Sequence, residues 1–125
     1  PFMKRGNKSS AFWQNEHSLF CFVERRLSVM LERNFQANLI QKLKRMFPGC
    51  IVMKNDASYK QGIPDLLVLY RDRWASLECK KSAGAKRQPN QEYYVGRMNE
   101  MSFSRFISPE NEEEVLHELQ QAFQS

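Results

Sequence analysis

The sequence predicts an α/β fold in which helices pack against one small β-sheet. Two observations indicate this fold. Three segments carry apolar residues at helical spacings of three and four, and four short runs rich in β-branched and aromatic residues lie between them. The segments follow one another in the order α-β-β-β-α-β-α. The 125 residues amount to about one domain, and contents of 42% apolar and 26% charged residues are ordinary for a globular protein.

The first predicted helix covers Met30–Phe47, where apolar residues recur at intervals of three and four until Pro48 and Gly49 end the pattern. Its apolar positions are Leu31, Phe35, Leu39, Leu43, Met46 and Phe47. Residues 1–29 show no clean periodicity and form a separate N-terminal extension. The alternation in Leu19–Val23 suits a short strand, and the extension as a whole suits a disordered arm, a dimerisation element or a remnant of cloning.

Four short runs are predicted to be strands. They are Cys50–Met53, Leu66–Tyr70, Trp74–Cys79 and Phe103–Ile107. The charged turn Arg71-Asp72-Arg73 separates the second run from the third, so we expect these two strands to form a hairpin.

Two further helices complete the predicted order. The second begins at Pro89, because proline suits a first helical position, and runs to about Asn99. The third is expected to start at Ser108, followed by Pro109 and Glu110, with acids near the positive end of the helix dipole. Its apolar stripe predicts burial against the sheet. The stripe consists of Val115, Leu116, Leu119 and Phe123.

Composition argues against several classes of protein. The longest unbroken apolar run, Leu66–Tyr70, is far shorter than the roughly 20 residues that span a bilayer, so we expect no membrane insertion. Cys21, Cys50 and Cys79 have the spacing of neither a disulfide framework nor a zinc site, which favours a reducing intracellular compartment. The net charge of +5 suits a polyanionic partner.

Glu32 stands out in the first predicted helix. On a helical wheel at about 100° per residue, the apolar arc spans roughly Leu31 to Ile40, and Glu32 projects into its middle on the side of Leu39 and Leu43. An inward carboxylate indicates a functional site. The alternative is that Glu32 lies in the first turn of the helix, where an acid complements the dipole.

Asp65, Glu78 and Lys80 are expected to converge on one point. Asp65 ends the segment Gly62–Asp65, which opens the second strand. In the third strand, Glu78 and Lys80 alternate onto one face and Cys79 faces the opposite way. Because the two strands form a hairpin, Asp65 comes near the other two charged residues.

This combination suits phosphodiester hydrolysis. Carboxylates and a backbone carbonyl are hard oxygen ligands for Mg²⁺ or Mn²⁺, and such an ion neutralises a phosphodiester and activates a water. A nearby ammonium can orient that water. The alternative is that Glu78 and Lys80 form a solvent-facing pair on an edge strand and that Asp65 caps a turn.

The segment Gly62-Ile63-Pro64-Asp65, followed by Glu78-Cys79-Lys80, resembles the signature of the PD-(D/E)XK nucleases. The Gly-x-Pro-Asp form with a downstream glutamine resembles the virus-type replication-repair nuclease (VRR-NUC) branch, near the Holliday-junction resolvases. The resemblance covers roughly residues 31–123. It implies a restriction-endonuclease-like core over residues 30–125, with a small central mixed sheet flanked by helices.

The resemblance also implies roles for individual residues. Its catalytic set is Glu32, Asp65, Glu78, Lys80 and Gln91, and its ligands for Mg²⁺ or Mn²⁺ are Asp65, Glu78 and the carbonyl of Cys79. Lys80 serves the nucleophilic water, and Glu32 completes the site from the first helix. Gln91 matches the family's glutamine, with Gln88 as the alternative.

The implied function is that of a metal-dependent endonuclease acting on branched or structured DNA in replication, recombination or repair. The implied setting is the cytoplasm or nucleoid of a bacterial cell, with a phage gene as one origin.

Five basic residues near the predicted site would hold phosphates, although a solvated loop in a basic protein is the alternative. They are Lys54, Lys60, Lys81, Lys86 and Arg87. A homodimer would suit the cutting of two strands. The alternatives are a general DNA nuclease and a non-catalytic DNA-binding or scaffold protein that kept the fold.

Overall fold

The computed structural model describes the backbone of residues 2–56 and 58–125 and the side chains of residues 18–56 and 58–125. The chain divides into two compact units, Pro1–Leu31 and Glu32–Ser125. The observed elements follow the predicted order α-β-β-β-α-β-α. Among the described helices, none combines the length and the apolar character that crossing a bilayer would need.

The first helix, α1, spans Phe2–Met46 and therefore begins far before Met30, where the sequence placed its start. Leu19–Val23 is helical, so the strand considered for this segment is wrong. No proline lies between residues 2 and 47, and the backbone hydrogen bonds of a helix can run through without a break. Among the described side chains of residues 18–29, the apolar ones form no buried stripe, since residues such as Phe20 and Phe22 are each 61% exposed.

A four-stranded mixed sheet forms the centre of the second unit. Its strands are β1 (Ile51–Lys54), β2 (Leu66–Tyr70), β3 (Arg73–Cys79) and β4 (Phe103–Ile107), in the spatial order β1-β2-β3-β4. The β1–β2 and β2–β3 pairs are antiparallel, and β4 lies parallel to β3. The predicted hairpin is confirmed, because Tyr70 pairs with Arg73 across a turn in which Arg71 has a φ of 58°.

Two shorter helices follow, α2 (Pro89–Met101) and α3 (Glu112–Gln124). The start of α2 at its proline is as predicted. The predicted start of α3 at Ser108 is wrong, because residues 108–111 form a turn instead. The backbone N–H and the hydroxyl of Ser108 donate to Oδ1 of Asn111 at 2.8 and 3.3 Å. The helical hydrogen bonds of α3 begin after this turn, where the N–H of Val115 donates to the Asn111 carbonyl.

Helices cover both faces of the sheet. On one face, α3 and the part of α1 beyond Leu31 enclose an apolar core that includes the predicted stripe of α3. The core consists of Leu39, Leu43, Phe47, Leu66, Val68, Ala75, Leu77, Cys79, Phe103, Ile107, Val115, Leu116, Leu119 and Phe123. On the other face, α2 lies over small polar side chains, where the Ser76 hydroxyl is 2.7 Å from that of Ser104 and 3.6 Å from Sδ of Met98. β3 is therefore buried on both faces.

Candidate active site

The loop before β2 packs closely against α2. Gly62 has a φ of +91°, and a Cβ built on it would lie 2.4 Å from Cβ of Asn90, so the position requires glycine. Asn55 holds the other end of the loop: its Nδ2 donates to the Pro64 carbonyl at 2.7 Å, and its backbone N–H donates to the Asp65 carbonyl at 2.8 Å. These contacts fix the position of Asp65, the residue that directly precedes β2.

Asp65 lies beside the end of β3. Because Leu66 pairs with Leu77 in the antiparallel register, Asp65 comes opposite Glu78. The backbone N–H of Cys79 donates to Oδ2 of Asp65 at 2.9 Å. This hydrogen bond holds the Asp65 carboxylate against β3. Asp65 and Glu78 therefore lie side by side, as the hairpin pairing predicted.

Glu78, Lys80 and Gln91 form a connected set on the side of the sheet covered by α2. Nζ of Lys80 donates to Oε1 of Gln91 at 2.7 Å and to the Lys86 carbonyl at 3.1 Å. Nε2 of Gln91 lies 3.4 Å from Oε1 of Glu78. The backbone N–H of Gln88 donates to the same Gln91 oxygen at 3.0 Å. Of the two glutamines considered, Gln91 is therefore the one that bridges the acid and the lysine.

Glu78 is a buried carboxyl group with few partners. It is 2% exposed, and its Oε2 has no hydrogen-bond partner within the described residues. Removal from water, followed by the negative charge of the neighbouring Asp65, raises the pKa of Glu78 to about 9. In the absence of a bound metal ion, Glu78 therefore keeps its proton at neutral pH. The alternative of a solvent-facing pair on an edge strand is wrong, since β3 is central and Glu78 is buried.

Glu32 approaches the same cluster from α1. Its side chain is half-buried, and burial, followed by the charge of Asp65, raises its pKa, while nearby Lys80 and Lys81 oppose that change. The alternative of an acid in the first helical turn is wrong, because α1 begins thirty residues earlier, at Phe2. The inward direction predicted for Glu32 agrees with this partial burial.

Of the predicted phosphate-binding residues, Lys81 lies near the acids and Lys54 lies on the strand next to Asp65. Lys54 ends β1 and pairs with Leu66, the residue after Asp65. Lys81 is close enough to Glu32 to lower its pKa. Both lysine side chains are exposed. Lys81 therefore adds a positive charge near Glu32, whereas Lys54 shares the face of its core partner Leu66 rather than that of Asp65.

The other three basic residues have different surroundings. Nζ of Lys60 lies 5.5 Å from the ring centre of Tyr94 on α2. The guanidinium carbon of Arg87 lies 3.9 Å from the ring centre of Phe106, which turns this side chain toward β4. Lys86 contacts the site through its backbone carbonyl, and its side chain is exposed. The sequence placed all three near the site but did not indicate these partners.

The thiol of Cys79 takes no part in the cluster. It faces the apolar core, as the alternation predicted, and burial raises its pKa. Sequence reasoning missed Asn55, whose hydrogen bonds hold the loop before Asp65, and Asn90, whose backbone and Cβ lie against Gly62. Asn55 follows a strand and precedes an aspartate, which is a turn signal, whereas the role of Asn90 depends on a distant glycine and has no local signal.

Among the side chains that the structure describes, no three His, Cys, Asp or Glu groups are arranged to hold a metal ion. Comparisons of this chain with models of known families, with curated proteins and with solved structures find no match.

Proposed function

We propose that this chain is a metal-dependent nuclease of the PD-(D/E)XK type that hydrolyses phosphodiester bonds in DNA. The observation that carries the proposal is Oε2 of Glu78, which is buried beside Asp65 without a hydrogen-bond partner among the described residues. A structural residue in such a place would be apolar or fully hydrogen-bonded, because an unpartnered buried carboxyl group lowers stability. Strongly perturbed acids of this kind are concentrated at functional sites.

Asp65 and Glu78 would hold the metal, and their chemistry fits Mg²⁺ or Mn²⁺. Mg²⁺ is usually bound by one or two carboxylates, with waters and substrate phosphate oxygens completing its coordination, so a preformed cage of three protein groups is unnecessary. The carbonyl of Cys79, the third ligand in the resemblance, follows Glu78 directly in the chain. When bound, such a cation offsets phosphate charge and lowers the pKa of a bound water.

The chain's own side chains orient the reacting groups. The Gln91 amide oxygen and the Lys86 carbonyl hold the Lys80 ammonium in one place. A fixed ammonium can align an attacking water or stabilise negative charge as it develops on the phosphate. Gln91 also contacts Glu78, so one side chain positions both charged groups. Glu32 supplies a further carboxylate that can accept a proton from water.

DNA is the proposed substrate because a polyanion complements the net charge of +5 and the positive charges of Lys80 and Lys81 near the acids. Lys81 lies near Glu32, and its exposed side chain can contact a phosphate. A preference for branched or structured DNA follows from the resemblance alone, as does a homodimer that presents two sites to two strands.

A cleavage panel tests this function. Linear, flapped, nicked and four-way DNA are incubated with Mg²⁺, Mn²⁺ or EDTA and with wild type, Glu78→Gln or Glu113→Gln, the last being an exposed control on α3. We expect cleavage by wild type and Glu113→Gln with either metal. The rate should fall about 100-fold or more for Glu78→Gln and in EDTA. Equal cleavage of all four DNAs favours a general nuclease. DNA binding without cleavage under every condition favours a non-catalytic binding protein and contradicts the proposal.

A further inference from the structure

A surface pocket of about 380 Å³ adjoins the acidic cluster. Its lining comes from the loop before β2 and from the start of α2, and consists of Gln61, Gly62, Gln88, Pro89, Asn90 and Gln91. The volume lies within the range of about 300–1,000 Å³ that is common for small-molecule pockets. The close approach of Gly62 to Asn90 joins the two walls, so the pocket has a defined shape.

The lining has an unusual chemistry for a protein of net charge +5, because four of its six residues carry carboxamides and none is charged. Within residues 18–56 and 58–125, the side chains of Gln61 and Asn90 have no hydrogen-bond partner, and both are exposed. Carboxamides offer donors and acceptors together, which matches the edge of a nucleobase. A phosphate would instead favour lysine or arginine. Pro89 and the backbone of Gly62 add surface without charge.

Gln91 connects this pocket to the proposed site, since the same residue contacts Glu78 and Lys80. We propose that the pocket binds one unpaired nucleobase of the substrate, next to the phosphate that is cut. This inference rests on the proposed nuclease function. A base inside a duplex cannot enter a pocket on the protein, so the base must already be unpaired or must leave the stack. The pocket therefore selects DNA with an unpaired nucleotide beside the cleavage position.

Three DNA duplexes of equal length test the pocket by binding alone, in EDTA. One is fully paired, one carries a single unpaired thymine, and one carries an abasic residue in place of that thymine. The last two have the same phosphates, so their affinities differ only through the base. We expect wild type to bind the thymine-containing duplex about 10-fold more tightly than the abasic one, within the roughly 5- to 160-fold range that one good set of hydrogen bonds to a base edge contributes.

The variants Asn90→Ala and Gln61→Ala should remove this difference and leave the affinity for the fully paired duplex unchanged. Gln120→Ala, an exposed glutamine on α3, is the matched control and should retain the full difference. Circular dichroism checks that each variant is folded. Equal binding of the thymine and abasic duplexes by wild type would overturn the inference, as would a difference that survives both pocket substitutions.

Cleavage of the same duplexes in Mg²⁺ separates this inference from the proposed function. Cleavage without any dependence on the base would support the proposed nuclease function and contradict the binding of a base in the pocket. A base-dependent affinity without cleavage of any duplex would reject the nuclease and support the pocket as a nucleobase site.

Discussion

Replacing Glu78 with glutamine is expected to stabilise the metal-free protein at neutral pH while removing its cleavage activity. Glutamine has nearly the shape of glutamate. Its Oε1 can still accept a hydrogen bond from Gln91, and its amide nitrogen can donate toward Asp65. The substitution therefore removes the ionisable group and leaves the packing of β3 against α2 unchanged.

The magnitude follows from proton linkage. Burial, and next the charge of Asp65, raises the pKa of Glu78 from 4.5 to about 9, so the folded protein binds this proton more tightly than the unfolded chain. The free energy of unfolding then falls as pH rises between the unfolded and folded pKa values. Each pH unit in that interval lowers it by about 1.4 kcal/mol. Near pH 7 the accumulated loss is about 3 kcal/mol, and it is absent from the Glu78→Gln variant.

Urea denaturation in EDTA at about pH 5.5 and about pH 7.5 measures this effect. Between the two pH values, the wild-type free energy of unfolding should fall by about 3 kcal/mol more than that of Glu78→Gln. Other titrating groups are common to both proteins and largely cancel in the difference. Glu113→Gln, which removes an exposed glutamate, should behave as wild type.

Addition of Mg²⁺ provides a second measurement on the same proteins. An ion that binds the folded protein raises its stability, so Mg²⁺ should increase the free energy of unfolding of wild type and not of Glu78→Gln. An identical pH dependence for wild type and Glu78→Gln in EDTA would refute the reasoning. It would mean that Glu78 ionises in the folded protein as readily as in the unfolded chain.

Three other outcomes are expected. Glu32→Gln should reduce cleavage at least about 10-fold without lowering the free energy of unfolding at neutral pH. Burial raises the pKa of Glu32, which means that the charged form of this residue destabilises the folded protein, and glutamine removes that charge. Gly62→Ala should destabilise by about 2–4 kcal/mol in urea denaturation, since it adds a contact with Asn90 to the strain of a positive φ. Gly49→Ala, with a φ of +88° and nothing within 4 Å, carries the strain alone and should lose about 1 kcal/mol; equal losses would contradict the close contact. DNA affinity should fall steeply as salt concentration rises, and a flat salt dependence in a binding titration would argue against phosphate contacts.

The arrangement of charged residues in the hairpin was predictable because it depends on local rules. Side chains alternate along a strand, so Glu78 and Lys80 share one face and Cys79 takes the other. A two-strand hairpin with a short turn sets the register, which brings Asp65 opposite Glu78. Neither step needs knowledge of the rest of the chain.

The helix boundaries were less predictable, for a different reason at each end of the chain. Periodicity reveals a helix only where one side is buried, and within residues 18–29 of α1 the large apolar side chains are exposed. At α3, Ser108 has the composition of a helix start, but its hydrogen bonds go to Asn111 and form a turn. Both serine and asparagine serve as helix caps, so composition alone does not choose between them.

The protonation of the acids depends on contacts that are remote in sequence. Glu78 would be a solvated residue if β3 were an edge strand, as one interpretation of the sequence allowed. The parallel pairing of β4 makes β3 a central strand, and α2 covers it. Together they bury the carboxyl group of Glu78 away from water. Local pattern therefore identifies which carboxylates come together, whereas the assembled sheet decides how costly it is to ionise them. Burial in the assembled fold therefore opposes the ionisation of Glu78 and Glu32, and the pH dependence of stability measures this consequence of the fold directly.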